Sequence, residues 1–130
     1  MENNKDFCKK RIAVIGSRSF NYKDYIFSLL TKNLNKINSI VSGGASGPDS
    51  YAVEWAIKYG IPYTVYPALW HDPETGKLDR GAGFKRNQKI IEDCDLVVAF
   101  YDGSSKGTAH SISIAQRLNK PLKIFRPPSI

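Results

Sequence analysis

Short apolar runs alternate with amphipathic stretches along the whole chain. Arg11 to Gly16 (RIAVIG) is a continuous apolar run ending in glycine. Such a run predicts a strand covered on both faces, as in a parallel sheet. Tyr25, Ile26, Leu29, Leu30, Leu34 and Ile37 recur at helical spacing and predict a helix over 25–37. Ser39 to Ser42 predicts a second strand. Pro48 to Tyr59 predicts a helix with proline in its first turn and Gly60 just past its end. Pro62 to Tyr66 reads as a third strand, Phe84 to Asp93 as a helix and Asp95 to Tyr101 (DLVVAFY) as a fourth strand. Thr108 to Asn119 and Pro121 to Phe125 complete the alternation as a helix and a fifth strand. Between the third strand and its helix, residues 67–83 are polar and turn-rich, a loop longer than the ~12–15 residues beyond which loops are commonly functional.

Strands alternating with helices predict βαβ units and a five-stranded parallel sheet of the Rossmann-like α/β class, with helices on both faces. Right-handed crossovers favour the strand order 3-2-1-4-5. In that order the chain changes direction between strands 1 and 4, and ligands bind in the crevice outside the carboxyl ends of those strands. The loops at Gly16, Ser42, Pro67 and Asp102 therefore belong on one rim. The folded domain is expected over 11–126, with a loosely attached lead-in at 1–10 and a short tail at 127–130.

The rim loops carry the chemistry. Gly16-Ser17-Arg18 combines a glycine, which allows close approach of a ligand, with a hydroxyl and a guanidinium that can fork onto phosphate. Ser42-Gly43-Gly44-Ala-Ser-Gly-Pro-Asp49 crowds glycines before a helix N-terminus, whose free N–H groups and dipole favour an anion. It is neither a Walker A motif nor GxGxxG. Asp49 either complements the helix dipole or accepts hydrogen bonds from a ribose. Arg86 and Asn87 open the helix before strand 4 and can reach the rim; an arginine there opposes the helix dipole, which favours a role in binding. Asp102-Gly103-Ser104-Ser105-Lys106-Gly107-Thr108 follows strand 4 and predicts an anion nest built from the amides of Ser104 to Thr108. Trp70, in the long loop, is either a loop anchor or a platform for a base. Trp55 and Tyr59 share a helix face and are read as core. His110 is read as a surface residue near the phosphate loop.

Charge and cysteine content narrow the classes. The formal net charge is +7, with Lys and Arg spread along the chain, which suits either a solvated basic surface or attraction to a nucleotide phosphate or nucleic-acid backbone. No apolar run approaches the ~20 residues of a membrane span, and the first residues, MENNKDFCKK, are polar. A cytoplasmic protein is expected, with no membrane partner. Cys8 and Cys94 read as free thiols rather than a disulfide. No metal-ligand spacing involves His71 or His110, and no resident cofactor is expected beyond a nucleotide-type ligand.

In this order, RIAVIGSR, IVSGGASGPDSYAVEWA, GIPYTVYPALW and GAGFKRNQKIIEDCDLVVAFYDGSSKGTAHSISIA resemble the SLOG superfamily of DprA/Smf and LOG proteins, and its YspA, cpYpsA-related branch in particular. The resemblance runs from Arg11 to about Phe125. It implies a Rossmann-like domain for nucleotides or nucleotide-derived molecules, including NAD-derived and ADP-ribose-like signals, some in antiviral systems and some carried by phages. Such a domain senses, carries or sequesters its ligand, and a homo-oligomer, dimeric or higher, is implied too. Two alternatives follow from the same superfamily. The LOG branch includes phosphoribohydrolases whose pattern is similar at Arg86 and Gly107-Thr108, but that pattern places a glutamate where this chain has Ser111. A hydroxyl does not replace the carboxylate that stabilises an oxocarbenium-like transition state, so no catalytic residue is assigned. The DprA branch implies single-stranded DNA binding. Against nucleic acid as a partner stands the lack of an interleaved basic and aromatic stripe.

Overall fold

The computed structural model describes residues 9–128. The described chain runs β1 (Lys10–Gly16), α1 (Lys23–Lys32), a 3-10 turn (Leu34–Lys36), β2 (Ile37–Ser42), α2 (Pro48–Tyr59), β3 (Tyr63–Val65), α3 (Ala82–Glu92), β4 (Leu96–Phe100), α4 (Lys106–Arg117) and β5 (Leu122–Phe125). All strand pairs are parallel, and the order is β3-β2-β1-β4-β5. Of the expected lead-in, residues 1–8 lie outside the described residues, Cys8 among them, as do residues 129 and 130 of the expected tail. No described helix is long and apolar enough to cross a membrane.

The apolar run of β1 is explained by two separate cores. Ile12 and Val14 face one, with Ile26 and Leu30 of α1 and Trp55 of α2. Ala13 and Ile15 face the other, with Ile90 and Ile91 of α3 and Ile114 of α4. Alternation along a strand sends successive side chains to opposite faces, so a strand with a core on each side has no polar position. Full burial of each such Ile or Val contributes about 1.5–3 kcal/mol. Trp55 is fully buried and its indole N–H donates to Thr31 Oγ1 at 3.1 Å. Tyr59 stacks on it at 5.4 Å but keeps 39% of its surface exposed. Cys94 is buried in the second core, its thiol donating to the Ile91 carbonyl.

Several boundaries differ from expectation. The first helix ends at Lys32, and Ile37 opens β2 instead of closing the helix. Asn33 stops it: its side-chain amide donates to the Leu29 carbonyl at 2.9 Å and its backbone N–H to Leu30 at 3.0 Å. α4 begins at Lys106 rather than Thr108, capped by Ser105, whose side chain accepts from the Thr108 N–H. α3 begins at Ala82 rather than Phe84. β3 is short, and all three of its residues are exposed at the sheet edge.

Candidate functional site

The carboxyl ends of β1 and β4 are tied together by a buried serine. Ser17 is 1% exposed. Its N–H donates to the Phe100 carbonyl at 3.0 Å, and its Oγ accepts from the Asp102 N–H at 3.2 Å. The same oxygen lies 3.4 Å from Thr108 Oγ1, at the start of α4. Ser19 adds a bond from its hydroxyl to Asp102 Oδ2 at 2.7 Å. Gly16 brings α2 against this joint: a Cβ there would stand 2.5 Å from Cγ of Pro48. The Gly16 and Asp102 loops are thus neighbours on one rim, as the strand order requires.

The second loop wraps around its own aspartate. Ser42 Oγ donates to the Asp49 carbonyl at 3.0 Å and accepts from the Gly44 N–H at 3.1 Å, while the Gly43 N–H donates to Asp49 Oδ2 at 3.3 Å. Gly44 and Gly47 hold φ of 71° and 90°, a region closed to most side chains. Asp49 is 6% exposed. Burial pushes its carboxyl up to about 7, against the opposing pull of the Arg86 guanidinium and the Gly43 N–H. Arg86 reaches across from α3, donating from Nη1 to the Gly43 carbonyl at 3.1 Å and from Nε to Asn87 Oδ1 at 3.0 Å. A side chain at Gly43 would collide with that guanidinium.

The fourth loop is organised from within by Asp102. Its Oδ1 accepts from the Ser104 and Ser105 N–H groups at 2.8 and 2.9 Å. These bonds and that from Ser19 hold its carboxyl far below the usual carboxylate range. The nest expected from Ser104 to Thr108 is therefore partly filled by the protein itself: the first two amides face Asp102 and the Thr108 amide faces Ser105. The amides of Lys106 and Gly107, in the first turn of α4, have no acceptor among the described residues. Gly107 is helical and does not have a positive φ, and a Cβ there would meet nothing within 4 Å. Gly103 is the strained glycine of this loop, with φ 96°.

These loops enclose a crevice of about 510 Å³. Of the expected residues, Gly16, Arg18, Asp49, Trp70, Arg86, Asn87, Asp102, Ser105, Gly107 and Thr108 line it. Ser17, Ser42, Gly43 and Gly44 stand behind it and fix the loops; Gly103, Ser104 and Lys106 shape the turn into α4. Ser111 lines it with its side chain 2% exposed. Ser19 and Phe84 also line it and are not among the expected residues. Phe84 is 52% exposed and stacks on His110 at 4.2 Å; Trp70 is 49% exposed and packs over Gly83. The aromatic at Phe84 sat among polar residues at a helix start, a position whose exposure could have marked it.

The crevice thus combines the N-terminus of α4, the change of direction between β1 and β4 and an aromatic wall, and it lies where Rossmann-like α/β folds present their rim loops. Residues 10–72 match the model of the YspA, cpYpsA-related SLOG family, so the SLOG resemblance of the motifs stands. No curated protein matches the chain. Among solved structures, the fold is similar to DNA processing protein A (DprA) of Streptococcus pneumoniae, with a TM-score of 0.74 and 19% identity over 98% of this chain and 54% of that one. The chain thus spans about half of that protein. It is also similar to DNA processing protein A of Helicobacter pylori, described for its unique single-stranded DNA binding mode. There the TM-score is 0.72 and the identity 23%, over 99% of this chain and 70% of that one. These likenesses overturn the expectation that sets nucleic acid aside as a partner. The fold brings Arg18, Arg86, Trp70 and Phe84 from separate segments into one crevice.

Proposed function

We propose that the crevice binds the phosphate and base of a nucleotide or nucleotide-derived ligand. The observation that carries this reading is the pair of amides at Lys106 and Gly107, without an acceptor among the described residues, opening α4 beside the Ser105 and Thr108 hydroxyls, with Trp70 and Phe84 lining the same crevice as Gly107. The helix dipole and oriented N–H groups favour a phosphate there. Arg18 and the free end of the Arg86 guanidinium add positive charge, and Trp70 and Phe84 offer flat apolar faces to a base. Binding rather than hydrolysis is the reading that Ser111 supports, since it brings a hydroxyl where the LOG-type pattern has a carboxylate. NAD-derived and ADP-ribose-like molecules are the free ligands to test first, with sensing or sequestration as the role. A second reading has the same crevice take a nucleotide unit of single-stranded DNA; the fold shared with the DprA proteins favours it.

Gly107→Val separates binding from folding. The side chain enters open space on a regular helical backbone, so the melting temperature should stay within a few degrees of the parent. It also fills the space a phosphate needs to reach the amides, and binding of ADP-ribose or a 5′-mononucleotide should be lost in calorimetry. Unchanged affinity in a folded Gly107→Val protein would move the phosphate elsewhere. Arg86→Ala should weaken the same ligands by about 1.5–3 kcal/mol, the usual range for a charge-assisted bond. Mass spectrometry of small molecules released on denaturing the purified protein gives the independent check on ligand class.

A further inference from the structure

A second and larger cavity lies on the other side of Arg86. It occupies about 1060 Å³ between the loop at 67–81 and α3. Its wall carries Lys77, Arg80, Lys85, Arg86 and Lys89 against only two carboxylates, Asp72 and Asp79. Both carboxylates are engaged within the fold. Asp72 Oδ1 accepts from the Glu74 and Thr75 N–H groups at 2.7 and 3.1 Å. Asp79 accepts from the Gly81 N–H and pairs with Lys85 at 2.6 Å. Among the described residues Lys77, Arg80 and Lys89 have no carboxylate partner. The loop that presents them is itself ordered: His71 and Leu78 form an antiparallel bridge, and the Asp79 N–H donates to the Trp70 carbonyl. Like charges gathered in a concave wall with few counter-charges repel one another and concentrate anions.

Arg86 lines both cavities, and Trp70 stands on the crevice side of the same loop. A ligand whose first phosphate lies at α4 and whose base meets Trp70 can therefore continue past Arg86 into the basic cavity. We infer that this cavity is a second phosphate subsite, so that the ligand carries at least two phosphate-bearing units joined through a nucleoside. The inference rests on the nucleotide reading of the crevice. A mononucleotide fills only the first subsite; a phosphodiester-linked chain fills both.

Titration calorimetry with dAMP, a 5′-phosphorylated deoxyadenylate trimer and ADP-ribose tests it, on the parent and on Arg80→Ala/Lys89→Ala. Both substituted side chains are exposed, so the melting temperature should hold. The trimer should bind the parent about tenfold or more tightly than dAMP, as linked units do when both sites are reached. The double variant should erase that gain and leave dAMP unchanged. Its salt dependence for the trimer should flatten by about 1.4 in log–log slope, from ~0.7 per neutralised phosphate on a single strand. If ADP-ribose, whose two phosphates are joined directly to each other, shows the same gain and the same loss, the basic cavity takes the adjoining phosphate of a pyrophosphate and the ligand spanned by a nucleoside is overturned. If dAMP binds and neither longer ligand gains, or if the double variant weakens dAMP and trimer alike, there is no second subsite and the crevice reading survives. If none of the three binds, the crevice reading fails and takes the subsite with it.

Discussion

Gly16→Ala should destabilise the protein by about 2–4 kcal/mol, at or beyond the upper end of ordinary overpacking effects, although it adds a single methyl group. That methyl would lie 2.5 and 2.7 Å from Cγ and Cβ of Pro48 and 2.9 Å from the Phe100 carbonyl oxygen. None of these atoms can swing aside. Pro48 is a fully buried ring locked into the first turn of α2, and the carbonyl belongs to β4, where it also accepts the Ser17 N–H. Relief requires α2 to move off β1, and with it the loop that holds Asp49 and the Arg86 contact. Urea unfolding should show a lowered midpoint with an unchanged slope, and the melting temperature should drop by roughly 10 °C. Nucleotide affinity should fall as well. A Gly16→Ala protein as stable as the parent would mean that the close approach of α2 to β1 is not what requires glycine.

The strand order and the two-sided burial were legible because a parallel sheet leaves its mark in uninterrupted apolar runs, RIAVIG and LVVAF above all. The limits of α2 were legible because Pro48 and Gly60 punctuate both ends, and Gly60 does adopt φ 68°. The end of α1 was not. Ile37 fits the helical spacing and the strand equally well, and what decides is a side-chain bond made by Asn33, which no periodicity contains. The same limit applies to the site. Glycines and hydroxyls marked the loops that line the crevice, but the use of each amide depends on Asp102 turning inward to take two of them. Gly107, expected in the anion nest, has no positive φ; the conformational demand falls on Gly103, Gly44 and Gly47. Phe84 stands among polar residues at the start of α3, and only the fold brings it to the crevice.

Asp49→Asn should change how stability depends on pH. In the folded protein the Asp49 carboxyl is pushed up to about 7 by burial, partly offset by Arg86. In the unfolded chain it titrates near the ordinary ~3.9. Between these values the folded state keeps a proton that the unfolded state has lost, so stability falls as pH rises, by about 1.4 kcal/mol per pH unit. Over the whole window the loss is on the order of 4 kcal/mol, complete once pH exceeds the folded value. Asp95 and Asp102 act in the opposite sense. Their carboxyls are held low in the fold by Arg11 and by the loop amides, so their contributions disappear only in acid, below the ordinary carboxylate range. Asparagine keeps the shape and an oxygen for the Gly43 N–H but carries no charge to desolvate. The variant should match the parent near pH 4 and exceed it at pH 8, with the difference between their unfolding free energies growing steadily from about pH 4 to 7. The same proton bears on binding, because Asp49 lines the crevice beside Arg86. As the carboxyl ionises, a negative charge appears near the phosphate position, so nucleotide affinity of the parent should weaken between pH 6 and 8, while that of Asp49→Asn should not. A parallel pair of stability curves across this range would show that Asp49 stays ionised in the fold, and the explanation of both effects would be lost.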